Sequence, residues 1–452
     1  MRAKVTGNSQ LSSRILFFWV LLQFLSISAS SQESSIARKF QLRPCEIEGV
    51  QGEVECGEIP VPENHHAPGG RTIRLNVVIL QALAPSSAPD PLLILQGGPG
   101  QAVTPLAPFY GRAFEEIRKS RDIVLVDVRG TDTSTGLYCD VRQPDHMKDI
   151  FAPERVRTCR AELAERADLS RYTTQAIVDD FAEVLKALEI ARVNLYGTSY
   201  GTRVALEILR RYPTKVRTAT LKAVLPPGFV ATKDFSRDAY AVVSKVLTRR
   251  EQAKLDHLLK SPPEGMSPGF FSEVVRNQLY DPALARQLSS FLHEDADFGP
   301  LLKAARQNPW VGAVSLGVFL SVSCTEDRHR VPPSLRPPTV RSLGDFREVQ
   351  QAAACDAWAP MRISTTHRKP FVSDVPVLVL SGELDPVTPP RWGERAIRNV
   401  RNSIHVVLKD NGHAMGDKAT CIAAMMKTLI DQASVATIRG QECSDSSIQT
   451  GQ

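Results

Sequence analysis

Several features that would name a function class at once are missing from this 452-residue chain. None of its eight cysteines stands in a Cys-x-x-Cys pair, so neither a zinc site nor a dithiol redox site of that kind is indicated. No metal-ligand cluster has the expected spacing, and nothing calls for an organic cofactor. Charge of one sign is also scarce. The formal net charge is +6, and Arg2, Lys4 and Arg14 supply half of it from an N-terminal leader expected to be removed. The remainder is too small and too scattered to argue for nucleic acid or an anionic membrane surface as a partner. There is no internal repeat, charge block or long low-complexity tract. After the leader, no segment is apolar over the ~20 residues that a membrane span needs.

What is present begins with that leader. Its three cations precede an apolar run from Ile15 to Leu25, and the small residues Ser26-Ile27-Ser28-Ala29-Ser30-Ser31 follow. This is the layout of a secretory signal, expected over residues 1–30. An uncleaved N-terminal anchor is the alternative, disfavoured because the run is short for a span. The cysteines agree with export to a periplasmic or extracellular space. They fall as Cys45 and Cys56, Cys139 and Cys159, Cys324 and Cys355, Cys421 and Cys443. Four local disulfides in an oxidising compartment are expected. Sequential pairing is a preference among the roughly one hundred pairings that eight cysteines permit.

The length exceeds what one hydrophobic core usually holds, so a core domain with a second domain or large insertion is expected. After a Pro- and Gly-rich stretch at 57–70, apolar runs bounded by turn residues predict strands over 72–80, 92–95, 123–128, 193–196, 218–224, 377–380 and 404–408. Several are solidly apolar, which suits strands covered on both faces. Helical periodicity lies between them at 176–188, 200–211 and 420–432, with Thr174 placed as the N-cap of the first. The alternation predicts an α/β fold, a mostly parallel sheet with helices on both faces. It lapses between about Pro226 and Lys369, where paired prolines and helical stretches replace it. The expected organisation is therefore a core over 40–226 and 370–443, interrupted by a mainly helical cap over 227–369, which is too long for a loop.

The strongest local signal is Tyr196-Gly197-Thr198-Ser199-Tyr200-Gly201, a Gly-x-Ser-x-Gly run directly after a strand and before a helix. A serine on such a cramped turn is held exposed above the sheet as a nucleophile, and the glycines leave room for the backbone. An acid and a histidine should follow, each after a later strand. Glu383 and Asp385 both follow the strand at 377–380. Asp385 is preferred because Pro386 turns the chain at the rim. His413 follows the last strand and is the expected general base, whereas His405 lies inside that strand and reads as structural. An oxyanion hole needs two backbone N–H groups aimed at one point. Tyr200 should give one, and Gly98 in Gln96-Gly97-Gly98-Pro99-Gly100 the other. No Lys-Ser/Thr follows that Gly-rich turn, so it is not a phosphate-binding P-loop.

Together these segments, with Asp127-Val128-Arg129-Gly130, Asp385-Pro386-Val387-Thr388-Pro389 and Gly412-His413, resemble the prolyl iminopeptidase and tripeptidyl aminopeptidase family of α/β-hydrolases. The resemblance covers about residues 45–443, and exported tripeptidyl-aminopeptidase-like members fit best. It implies a serine exopeptidase acting on a peptide substrate. Ser199 would attack, His413 would carry the proton, Asp385 would hold the imidazole, and Gly98 and Tyr200 would bind the oxyanion. Family members bind the substrate's amino group with acids of the cap. Ser323-Cys324-Thr325-Glu326-Asp327 resembles such a motif, making Glu326 the first candidate and Asp327 the second. The chain departs from the family at Gln96, where many members have His. It departs again at Asp132 and Thr133, in a run that is usually Gly-x-Gly-x-Ser.

The reading that follows is a secreted enzyme releasing tripeptides or single residues, proline-directed or not, from free N-termini through an acyl-enzyme. A carboxylesterase indifferent to a free amine and a non-enzymatic binding protein on the same fold are the alternatives. The intact Ser199, Asp385 and His413 argue against the last. Nothing in the sequence bears on the oligomeric state.

Overall fold

The computed structural model describes residues 42–85, 87–132, 136–139, 151–226, 229–293, 296–306, 314–327, 343, 345–358, 372–414, 416–439, 441 and 443; the expected leader over 1–30 and the departure at Thr133 lie outside them. Among these residues nine strands form one sheet: β1 (Arg43–Pro44), β2 (Val54–Pro62), β3 (Thr72–Leu80), β4 (Leu92–Leu95), β5 (Ile123–Val126), β6 (Val193–Thr198), β7 (Val216–Lys222), β8 (Val377–Gly382) and β9 (Ser403–Leu408). Their order is β1-β2-β3-β5-β4-β6-β7-β8-β9. The first three strands and the β3–β5 pair run antiparallel, and every pairing from β5 through β4 to β9 is parallel.

The solid apolar runs have the expected cause. Along β4 and β5, Leu93, Leu95, Val124 and Val126 enter one core, while Leu92, Ile94, Ile123 and Leu125 enter another. Successive side chains point to opposite faces of a strand, so a strand covered on both faces must be apolar at every position. The second core is closed by α1 (Ala107–Ala113) and by the helix Ala419–Gln432. The first is closed by α2 (Pro153–Ala164), α3 (Thr174–Ala187) and α4 (Tyr200–Arg211).

Between β7 and β8 the chain is helical among the described residues. Helices α5 (Ala231–Val246), α6 (Arg249–Lys260) and α7 (Pro268–Gln278) build a core of their own around Val243, Leu255 and Phe271. Two later helices, α8 (Leu316–Glu326) and α9 (Asp345–Trp358), instead pack into the first sheet core through Val318, Leu320, Ala354 and Trp358. The Cys324–Cys355 disulfide joins them, and Trp358 Nε1–H donates to Ser321 Oγ at 3.2 Å. All four disulfides pair sequential cysteines, Cys45–Cys56, Cys139–Cys159, Cys324–Cys355 and Cys421–Cys443, as preferred from the sequence.

Two local expectations change. The Pro-rich stretch at 57–70 holds most of β2, although Pro60 and Pro62 carry no N–H. They are tolerated because β2 is an edge strand beyond its two pairings with β1. The N-cap of α3 is Thr173, whose hydroxyl accepts from Ala176 N–H at 3.3 Å; Thr174 lies inside the helix and turns its hydroxyl elsewhere.

The Asp127-Val128-Arg129-Gly130 segment proves to be a brace. Asp127 accepts from Val103 N–H, Thr104 N–H, Thr104 Oγ1 and Asn76 Nδ2. Arg129 is fully buried and grips Asp180 of α3 with two N–H groups at 2.7 and 2.6 Å, while Nη1 donates to the carbonyls of Glu63 and Arg171. Removing the cation takes away the charge partner of a buried carboxylate, which then faces His65 Nε2 at 2.8 Å. Arg129→Met is therefore expected to lower folding stability by about 3–5 kcal/mol, read from the urea midpoint of the whole chain.

Candidate active site

The strand β6 ends at Thr198, and α4 begins at Tyr200, so the whole reversal of direction falls on Ser199. Its backbone takes φ 53° and ψ −124°, a conformation that costs energy for any residue with a Cβ. Neighbours hold it there. Ser199 N–H donates to Lys222 O at 3.0 Å, and Thr202 Oγ1 donates to Ser199 O at 2.6 Å. The turn presses onto the end of β4 so tightly that a Cβ on Gly201 would stand 1.9 Å from Leu95 O. Only glycine fits there.

From this perch Ser199 Oγ lies 3.1 Å from His413 Nε2. His413 Nδ1 lies 2.9 and 3.0 Å from the two oxygens of Asp385. The three residues named from motif order thus meet in one line, across 214 and 28 positions of sequence. Of the two competing acids, Glu383 turns toward Lys245 and the N–H of Asp410. His405 is half-buried in β9 against Ser381 Oγ at 2.9 Å, and burial lowers its pKa. It stands apart from the serine.

Asp385 is fully buried. Its Oδ1 accepts from the N–H groups of Val387 and Thr388, both at 2.8 Å, and its Oδ2 from Thr388 Oγ1 at 2.6 Å. Burial pushes its pKa up. His413, Lys222 and these hydrogen bonds outweigh that and hold the carboxyl well below the usual carboxylate range. An acid kept charged in a dry place can fix the tautomer and orientation of the imidazole beside it.

Three groups that sequence reading did not single out complete the frame. Thr388 Oγ1 lies 3.2 Å from His413 Nδ1 as well as against Asp385. Lys222, fully buried at the end of β7, donates from Nζ to His413 O at 2.8 Å. Burial lowers its pKa to about 8, against the pull of Asp385. Tyr280, just after α7, accepts His413 N–H on its carbonyl at 3.0 Å and sets its ring edge-on to the imidazole at 5.0 Å. That approach needs the neighbouring glycine, since a Cβ on Gly412 would stand 2.2 Å from Tyr280 O.

Above Ser199 lies a cavity of about 70 Å³, lined by Gly98, Tyr200, Arg203, Asp327, Gln351 and His413 among others. Tyr200 is the first residue of α4, where a backbone N–H has no intrahelical acceptor. Gln96, the first departure from the family pattern, braces the loop below Gly98: its Nε2 donates to Gln101 Oε1 at 2.9 Å, and Tyr110 OH donates to its Oε1. Asp132, the second, is buried.

The two amine-binding candidates sit in different surroundings. Glu326 is committed to the fold, its Oε1 accepting from Thr174 N–H at 2.7 Å and its Oε2 from Thr174 Oγ1 at 2.8 Å and Arg203 at 3.3 Å. Burial raises its pKa against the pull of Arg203. It does not line the cavity. Asp327 does, and both its oxygens lie 3.2–3.3 Å from Arg203 Nη1.

Residues 342–443 match the family described as TAP-like protein, and residues 90–261 match the alpha/beta hydrolase fold family. The chain has the α/β-hydrolase fold, and its C-terminal quarter is similar to the TAP-like family. Among curated relatives, this α/β-hydrolase is similar to serine protease Hip1 of Mycobacterium tuberculosis and of Mycobacterium bovis. Each is 20% identical over 87% of this chain and 91% of the relative. Among solved structures it is similar to proline iminopeptidase of Mycobacterium smegmatis, with a TM-score of 0.48 at 17% identity over 84% of this chain and 99% of that one. It is also similar to MGS-M2, an alpha/beta hydrolase from a deep-sea metagenome library, with a TM-score of 0.43 at 17% identity over 79% and 94%.

The Thr388 hydroxyl should matter to the chemistry out of proportion to its size. Thr388→Val keeps the shape and removes one hydrogen bond to a charged group, an interaction of about 1.5–3 kcal/mol. The expected result is a fall in kcat of at least about tenfold on a p-nitrophenyl ester, with KM little changed.

Proposed function

We propose that this α/β-hydrolase is an exported serine aminopeptidase that removes residues from the free N-terminus of peptides. The observation that carries the reading is the line from Ser199 Oγ through His413 to Asp385 at the mouth of a cavity whose wall holds Asp327. In the proposed reaction His413 Nε2 takes the Ser199 proton as Oγ attacks the scissile carbonyl. The negative charge on that carbonyl oxygen falls between the backbone N–H groups of Gly98 and Tyr200. His413 then returns the proton to the departing amine. The C–N bond breaks, and an ester to Ser199 remains, which a water molecule hydrolyses by the same path in reverse.

The preference for a free amino end rests on charge. Asp327 puts a carboxylate on the cavity wall beside Arg203. A terminal ammonium would pair with it, and a neutral ester or a blocked amide would not. The TAP-like match over 342–443 supports the same substrate class. The four disulfides support export, since such bonds persist in oxidising compartments.

The test is kcat/KM on chromogenic substrates of one and three residues, each with a free and an acetylated amino terminus, with Ser199→Ala as control. A large loss on acetylation, and no turnover by Ser199→Ala above background, is the expected result. Equal turnover of free and blocked substrates would replace this reading with a general esterase or amidase.

A further inference from the structure

Among the described residues, two on the cavity wall carry buried side-chain atoms without a hydrogen-bond partner, Arg203 Nε and Gln351 Oε1. Gln351 is 1% exposed. An amide oxygen buried without a partner costs free energy unless something that arrives later supplies a donor. The cavity it lines holds Ser199 and His413, and its volume suits about five waters or one small polar group. Arg203 Nε–H is a donor and repels cations, whereas Gln351 Oε1 is an acceptor.

The placement of Gln351 is not accidental packing on a loose segment. Gln351 sits one helical turn before Cys355 on α9, and positions four apart share a helix face. Asp327 follows Cys324 by three residues at the end of α8. The Cys324–Cys355 disulfide therefore staples the two helices one turn away from each polar group. The hydrogen bond from Trp358 to Ser321, one turn further along both helices, repeats the tie.

We propose that Gln351 is a specificity residue whose Oε1 receives one hydrogen of the substrate's terminal ammonium, with Asp327 on the same wall supplying the charge. The inference rests on the aminopeptidase reading above and adds to it. An ammonium carries three donors, and a carboxylate on one side satisfies them only in part. A neutral acceptor on the same wall completes the shell and adds no second charge to be desolvated in the free enzyme.

The experiment compares Gln351→Leu and Gln351→Glu with the parent chain on a single-residue p-nitroanilide, free and N-acetylated. A fluorophosphonate probe serves as the measure of an intact Ser199. Gln351→Leu is expected to lose about 10- to 100-fold in kcat/KM on the free-amine substrate, the range for a hydrogen bond to a charged group. The loss should fall mainly on KM, with probe labelling and turnover of the acetylated substrate unchanged. Gln351→Glu, which keeps an acceptor, should stay near the parent on the free-amine substrate. Parent-like turnover of the free-amine substrate by Gln351→Leu would overturn the inference, as would an equal loss on both substrates. Indifference of the parent chain itself to acetylation would instead overturn the aminopeptidase reading, and that outcome is read before any variant is made.

Discussion

The chemistry of this chain depends on how closely the turn at Ser199 can be pressed onto the end of β4. With a Cβ at Gly201 the helix could not start where it does, because Leu95 O occupies that space. The backbone of Ser199 is driven to positive φ by the same reversal. This strain is held by the sheet around it: β6 lies between β4 and β7, both fully paired, and Lys222 O on β7 takes the Ser199 N–H. The sheet's job at this end is to make one costly turn rigid. The Gly97-Gly98 loop then lies close to the serine, and Gly98 and Tyr200 line the same cavity.

A second constraint joins the sheet to the helices that cover it. Arg203, one turn into α4, meets Glu326 and Asp327 from α8, and Glu326 in turn binds the first turn of α3 through Thr174. Tyr200 joins the same network through its hydroxyl, 2.7 Å from Thr174 Oγ1. Burial alone would discharge such groups. Arg203 keeps its proton more firmly than in water because two carboxylates face it. The helix that follows the serine, the helix behind it and the helix that roofs the cavity are thus locked by one buried ionic knot. His413 is held in a comparable way, its N–H by Tyr280 and its carbonyl by Lys222. One of these holds comes from the helices between β7 and β8 and one from the sheet, so the imidazole position registers how the two parts sit on each other.

Much of this was legible in the sequence, and the reason is locality. Strands buried on both faces announce themselves as unbroken apolar runs, and Ser199 and Asp385 each follow such a run, while His413 follows the half-buried edge strand β9. The turn glycines beside Ser199 and His413 are visible in the motifs, although the groups that demand them, Leu95 O and Tyr280 O, are distant in sequence. What stayed hidden depends on distant partners. Lys222 read as the tail of a strand, and nothing near it says that its ammonium reaches His413. Thr388 stood in a quoted motif, yet its contact with both Asp385 and His413 needs the loop conformation. Tyr280 and Gln351 lie in the stretch where periodicity lapses, so no pattern pointed at them. Glu326 and Asp327 were found as a pair, but only geometry separates the one that caps α3 from the one that lines the cavity. The edge strand β2 was obscured by its own prolines, which an edge tolerates and a central strand would not.

The chemistry proposed for this chain turns on Ser199 as a nucleophile activated by His413. The most direct measurement is to react the native chain with a fluorophosphonate, digest it, and locate the adduct by mass spectrometry. A single phosphonylated peptide modified at Ser199, absent when His413 is replaced by Ala, is the predicted result. Labelling at another serine, or labelling of Ser199 that persists undiminished without His413, would contradict it.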